Sequence, residues 1–165
     1  MMSYGIRTIR GTKYDLTHLD AFRLPVRCGN HGHLLQVAFG AHVFTRSYEE
    51  EDDPDVVFMD GKTKRTFCVD RYAHSLQLPA AITQAVDGDI YNNKGRLVLD
   101  TTLPGLDGHY LIAFGLRTVK AKRFEGRLHV RSAYRREQMP RNMKRAKFGV
   151  VVHNTLCGQN TRWKT

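Results

Sequence analysis

Two histidines, His42 and His129, stand beside hydroxyl, phenol and guanidinium groups in patterns suited to proton transfer on a phosphate ester. In the run Leu128-His129-Val130-Arg131-Ser132-Ala133-Tyr134, strand alternation sends Arg127, His129 and Arg131 to the face opposite Leu128 and Val130. An imidazole held near neutrality among arginines can move a proton while the guanidiniums grip a phosphate. A solvated outer sheet face is the plainer account of the same pattern. Ser132 and Tyr134, with Arg135 and Arg136 just beyond, can bind a phosphodiester and orient its 2'-hydroxyl. Strict alternation instead places them on the apolar side with Leu128 and Val130, so reaching the histidine's side requires a bulge. His42, in His42-Val43-Phe44-Thr45-Arg46, is expected late in a strand and opposite its apolar face, where it lines a cleft or serves a structural role.

A second constellation is Phe67-Cys68-Val69-Asp70-Arg71-Tyr72-Ala73-His74-Ser75. On a helix capped by Asp70, Arg71 and His74 share one face and Tyr72 and Ser75 another. Arg71 is a candidate phosphate ligand there; capping and packing explain the same residues without chemistry. The candidate nucleic-acid contacts are Arg117, Lys120, Lys122, Arg123, Arg127, Arg131, Arg135 and Arg136. They belong to residues 117–147, where only Glu125 and Glu137 oppose the cations.

Cys28-Gly29-Asn30-His31-Gly32-His33 clusters three metal-ligand types, but zinc sites usually pair two such clusters and no second close pair is visible. Cys68, His74, His153 and Cys157 are the residues that could complete a set. No metal or cofactor is assigned, and the segment reads as a glycine-rich turn entering a strand. The chain has no phosphate-cradling loop, dinucleotide fingerprint or zinc-protease helix.

These groups sit in a chain of 165 residues with 41% apolar content, enough for one ordinary core and too little for two large domains. The formal charge is +10, with an isoelectric point near 9.8, and seven of the acids fall between Glu49 and Asp60. Such a surplus attracts polyanions through counterion release. An acidic protein is the other partner it would suit. The apolar runs are too short for a membrane span, and residues 1–7 lack the apolar core of a secretory leader. Three widely spaced cysteines do not form a disulfide framework, so a reducing cytoplasm is expected.

The elements expected to carry these residues make a single α+β domain: N-terminal helices packed on a mainly antiparallel, strongly twisted sheet. Leu16, Leu19 and Phe22 suggest a short helix ended by Pro25. Residues 33–45 read as a long strand burying Leu35, Val37, Phe39, Ala41 and Val43. Residues 46–60 read as an acidic surface loop, and Pro79 starts a second helical stretch closed by Asp87-Gly88. Tyr110 to Leu116 and Leu128 to Tyr134 read as antiparallel neighbours. Residues 148–152 read as a further strand, and 159–165 as a frayed tail.

This layout, with the Leu128–Tyr134 strand in the terminal third, resembles the superfamily of small ribonucleases that includes barnase, EndoU, the colicin nucleases and RelE-type toxins. Phage-borne nuclease domains are similar around such a Ser-Ala-Tyr strand. The resemblance implies metal-independent, toxin-like cleavage of RNA by 2'-hydroxyl attack. His42 or His129 would be the base, Arg71 or Arg131 the phosphate ligand, and Ser132 with Tyr134 the hydroxyl groups. No His-x-Glu spacing accompanies them. The alternative is a non-catalytic phage or mobile-element protein that inhibits a host nucleic-acid machine, its acidic loop imitating phosphate.

Overall fold

The computed structural model describes residues 3–165; Met1 and Met2 lie outside it. The chain opens on two strands, β1 (Ile6–Ile9) and β2 (Thr12–Asp15), paired through a turn in which Arg10 and Gly11 both have positive φ. That is the turn geometry a two-residue hairpin requires. A 3-10 turn at Thr17–Leu19 leads into β3 (Phe22–Cys28), which pairs antiparallel with β4 (His31–Phe39).

The expected N-terminal helix is therefore absent. Leu16 and Leu19 are both buried, but a single 3-10 turn serves their three-residue spacing as well as a helix would. Phe22 already belongs to a strand. Pro25 sits within β3, which is tolerated because β3 is the edge of its sheet.

After β4 the chain turns through a 3-10 segment, Ala41–Val43, into β5 (Thr45–Ser47). The long strand expected over 33–45 thus breaks at Gly40, and His42 lies on a turn. β6 (Val57–Asp60) and β7 (Thr63–Phe67) form a hairpin, with β5 on the other edge of β7. The acidic segment is shorter than the expected 46–60, and it is tied down. Asp52 accepts from Arg46 Nη1 at 3.0 Å, from Thr66 Oγ1 at 2.6 Å and from the Glu49 amide at 2.9 Å, while Asp53 pairs with Arg10 at 2.9 Å.

Those bonds, led by Arg46 and Thr66, hold the Asp52 carboxyl well below the usual carboxylate range. Because the folded state binds that proton less readily than the unfolded chain, the stabilisation is present above about pH 4 and fades as pH falls further. Asp52→Asn is expected to lower the melting temperature at pH 7 and to flatten its decline in acid. Equal acid slopes in the two proteins, read by circular dichroism melts, would remove Asp52 from this role.

Two short helices follow, α1 (Val69–Ser75) and α2 (Leu78–Gln84), the latter with Pro79 in its first turn. Cys68, not Asp70, occupies the N-cap of α1. β8 (Asp89–Asn93) and β9 (Arg96–Thr101) form a hairpin around Lys94-Gly95, and β10 (His109–Thr118) and β11 (Gly126–Arg136) are antiparallel, as their patterns predict. β12 (Lys144–Lys147) leads directly into α3 (Phe148–Leu156).

Seven strands form one mixed sheet in the order β12-β8-β9-β10-β11-β4-β3. β11 and β4 run parallel, and the other pairings in it are antiparallel. The architecture is mostly β, with three short helices, the last near the C-terminus; the arrangement of N-terminal helices on a sheet does not occur.

One face of the sheet supplies the core: Leu24, Val26, Leu35, Val37, Leu128, Val130, Ile112 and Phe114 are buried together with Phe148, Val151 and Val152 of α3. The expected strand over 148–152 is that helix. Its valines favour strands intrinsically, but spacing Phe148, Val151 and Val152 on one helical face buries all three, and tertiary packing overrides propensity. The tail is tied at Lys164, whose backbone exchanges two hydrogen bonds with Arg145, and Trp163 packs against the core. Among the described residues no helix is long and apolar enough to cross a membrane.

Candidate nucleic-acid interface

The other face of the sheet carries a groove over β4, β11 and β10, and pairing register dictates what that face presents there. Arg23 of β3 stands opposite Gln36 of β4, Gln36 opposite Arg127 of β11, and Arg127 opposite Arg117 of β10. One row of side chains across four strands therefore carries three guanidiniums and an amide. Arg127 Nε donates to Gln36 Oε1 at 2.8 Å, which fixes its orientation. The next row is Ala38, His129 and Gly115.

Small residues make the floor of this face low. A Cβ at Gly115 would lie 2.9 Å from Arg131 Nη2, so the glycine lets the Arg131 guanidinium lie across β10. A Cβ at Gly40 would lie 3.4 Å from His129 Nε2, and the Gly40 amide donates to Val130 O at 2.8 Å. The result is a groove of about 810 Å³ lined along one side by Arg117, Arg127, His129 and Arg131, and bounded by Tyr4 and Asp60. Its volume lies within the ordinary range of small-molecule and cofactor sites.

Partial burial, then the charges of Arg131, Arg127 and Arg117, push the His129 imidazole below its ordinary pKa, against a smaller opposing pull from Asp60. The shift favours the neutral imidazole, the state a general base requires. His42 Nε2 lies 3.8 Å from Asp60 Oδ2. Burial and Arg65 lower the His42 pKa, Asp60 raises it, and Arg71 lowers it. Both histidines therefore feel the same carboxylate. Tyr4, whose hydroxyl donates to Phe39 O at 2.9 Å, is pushed up to about 12 by burial and then by Asp60.

The pairing of β10 and β11 slips between Ala113 and Phe114, leaving Arg131 as an extra residue. This is the bulge that Ser132 and Tyr134 need. Beyond it Ala133 is buried, while Ser132 and Tyr134 are only half-buried and turn to the side of His129. Neither lines the groove itself. Tyr134 lies beneath the Arg136 guanidinium, 6.0 Å from the ring centre, and Arg135 Nε donates to Asp107 O at 2.6 Å. Lys120, Lys122 and Arg123 are exposed on the 119–125 connection beyond the Arg117 end of the groove.

Arg71 lies outside the groove. Its Nη1 donates to His42 O at 3.1 Å and Thr45 O at 2.7 Å, which makes it a brace for the turn that carries His42. Arg65, buried, supports the same turn by donating from Nη2 to Thr45 O at 3.2 Å. Cys28, His31 and His33 sit on the β3–β4 hairpin, with no part in the groove lining.

Sequence reasoning missed Arg23, Gln36 and Asp60. Arg23 was hidden by the helix expected there, and Gln36 by its partner strand being remote in sequence. Asp60-Gly61 carried a hairpin signal that the surrounding acids obscured, since Gly61 has the positive φ such a turn favours.

No curated protein and no solved structure matches the chain. A family model does match, and it covers residues 6–156, from the first residue of β1 to the last of α3. It takes in the groove lining apart from Tyr4, the bulged strand and the braced turn, and on that coverage the chain belongs to the YjaZ family.

Proposed function

We propose that this chain is a cytoplasmic nucleic-acid-binding protein that holds the backbone of single-stranded RNA in the groove. The observation that carries the reading is the register row of Arg23, Gln36, Arg127 and Arg117, whose last three members line the groove together with Arg131. Guanidiniums spaced across strands suit successive phosphates, and the flanking cations on 119–125 and at Arg135 and Arg136 extend the same track. Free cysteines at 28, 68 and 157 accord with a reducing compartment.

We further propose that the groove cleaves the RNA it binds. A neutral His129 removes the proton of a 2'-hydroxyl, that oxygen attacks the adjacent phosphorus, and the 5'-oxygen leaves with a proton from solvent, since His42 is outside the groove lining and its own pKa is lowered. Arg131 and Arg127 hold the phosphoryl oxygens as charge develops. The non-catalytic inhibitor is the second reading. It loses ground because Asp52 and Asp53 of its phosphate-imitating loop are already paired with Arg46 and Arg10.

The test uses end-labelled single-stranded RNA with a chelator present. Cleavage is expected from the wild-type chain and not from His129→Gln, whose affinity should stay within about threefold because the arginines remain. Lowering pH through the depressed His129 pKa should slow cleavage, as the base becomes protonated, while strengthening binding by one added charge. RNA that is bound but intact at high protein concentration would leave a binder without turnover. RNA that is not bound would end both readings.

A further inference from the structure

On the face of the sheet opposite the groove, β4, α3 and the 119–125 connection bring together side chains that are remote in sequence. His33 Nε2 lies 2.9 Å from His153 Nδ1, and His33 Nδ1 lies 2.9 Å from Glu125 Oε2. Cys157, one turn beyond His153 at the end of α3, places its sulfur 3.9 Å from His153 Nδ1. The His31 ring stacks on that of His153 with centres 4.6 Å apart.

We propose that His33, His153 and Cys157 bind one zinc-type divalent cation, with Glu125 orienting His33. In a tetrahedral zinc site with ordinary bond lengths, two nitrogens stand about 3.3 Å apart, and nitrogen and sulfur about 3.6 Å apart. The two separations across His153 Nδ1 are each within a few tenths of an ångström of those values. Metal-ligating histidines characteristically donate their other ring N–H to a carboxylate, and Glu125 is placed to accept it. Two imidazoles and a thiolate select zinc over magnesium or calcium.

Among the described residues, no three donors already surround a common point. The reason is local. The Cys157 sulfur is nearly equidistant from His153 Nδ1 and Nε2, at 3.9 and 3.8 Å, so it stands off the Nδ1 lone-pair axis. Cys157 is exposed at the C-cap, where rotation about its χ1 meets little resistance. On binding, His153 shifts its ring proton from Nδ1 to Nε2, the Cys157 thiol releases its proton to solvent, and the ion replaces the His33–His153 hydrogen bond. The fourth position stays open to water beside His31. Glu125 is anchored independently, since its amide donates to Leu34 O at 2.8 Å, so the pocket persists without the ion.

The decisive measurement titrates the chelator-treated full chain with cobalt(II) and zinc(II), by visible absorption and by calorimetry. One equivalent should bind, with tetrahedral cobalt bands and a sulfur-to-cobalt charge-transfer band that zinc abolishes. Cys157→Ser should lose the charge-transfer band. His33→Gln and His153→Gln should each weaken zinc by at least tenfold, and Glu125→Gln by about 10- to 100-fold. Circular dichroism of each variant without metal checks that the fold is intact, and Glu125→Gln, half-exposed, is the mildest of them. Absence of tetrahedral cobalt bands at saturating metal would overturn the proposal. A charge-transfer band that survives Cys157→Ser would overturn it equally, because Cys28 or Cys68 would then be the ligand.

Discussion

Replacing Arg117, Arg127 and Arg131 together with alanine is expected to weaken single-stranded RNA binding by about two to three orders of magnitude at fixed salt. Each removes a charge-assisted contact contributing about 1 to 1.5 kcal/mol, and every 1.4 kcal/mol is tenfold in affinity. The salt dependence should change with it. If Arg23, Arg117, Arg127 and Arg131 each neutralise one phosphate, wild-type affinity falls about 50-fold between 50 and 200 mM salt, and the triple variant's only about threefold. The control is Lys120→Ala, Lys122→Ala and Arg123→Ala on the exposed connection, where long side chains are free and less is lost per charge. Fluorescence anisotropy at several salt concentrations reads all of these. Equal losses in the two triple variants would mean that RNA follows total charge and ignores the groove.

Gly149→Ala should produce the largest loss of stability that one methyl group can cause in this fold. In an isolated helix this change stabilises by about 1 kcal/mol, because alanine loses less backbone entropy. Here the added Cβ would stand 2.1 Å from Arg27 O, a backbone atom of β3. No side chain can rotate away to relieve that contact, so α3 must slide off the sheet edge. We expect a net destabilisation of about 3 kcal/mol, at the upper end of overpacking effects. The melting temperature should fall by roughly 6 to 12 °C.

Gly126→Ala supplies the comparison. Its closest contacts would be the terminal methyls of Leu156 and Leu35, at 2.7 and 2.9 Å, and these can yield by small rotations. Its loss should be smaller than that of Gly149→Ala. A Gly149→Ala protein that melts within about 2 °C of wild type would refute the seating of α3 on β3.

The cationic side of the candidate site was legible because alternation is a property of one strand. Arg127, His129 and Arg131 could be placed together from their spacing alone, and the β10–β11 pair from two alternating runs near in sequence. The need for a bulge was equally readable, from the conflict between the polar character of Ser132 and Tyr134 and the face strict alternation gives them. That the extra residue is Arg131 was not, since a bulge is fixed by the partner strand. The N-terminal segment failed for another reason. Apolar residues three apart fit one 3-10 turn or a helix equally well, and strand partners for residues 6–28 had no local signature.

By itself the sequence determined the charge surplus, its concentration in residues 117–147, the faces of β4 and β11, and the turns at glycine and proline. These follow from residue types and short-range periodicity. Only the tertiary structure decided that β4 lies parallel to β11, aligning Arg23, Gln36, Arg127 and Arg117 in one row, and that Asp60, 3.8 Å from His42, bounds the groove that His129 lines. It alone joined His33 to His153 across 120 positions and folded a valine run into a helix. Pairing partners, register and packing are set by the burial of the whole apolar surface, and that balance is struck between segments whose separation along the chain leaves no trace in either one.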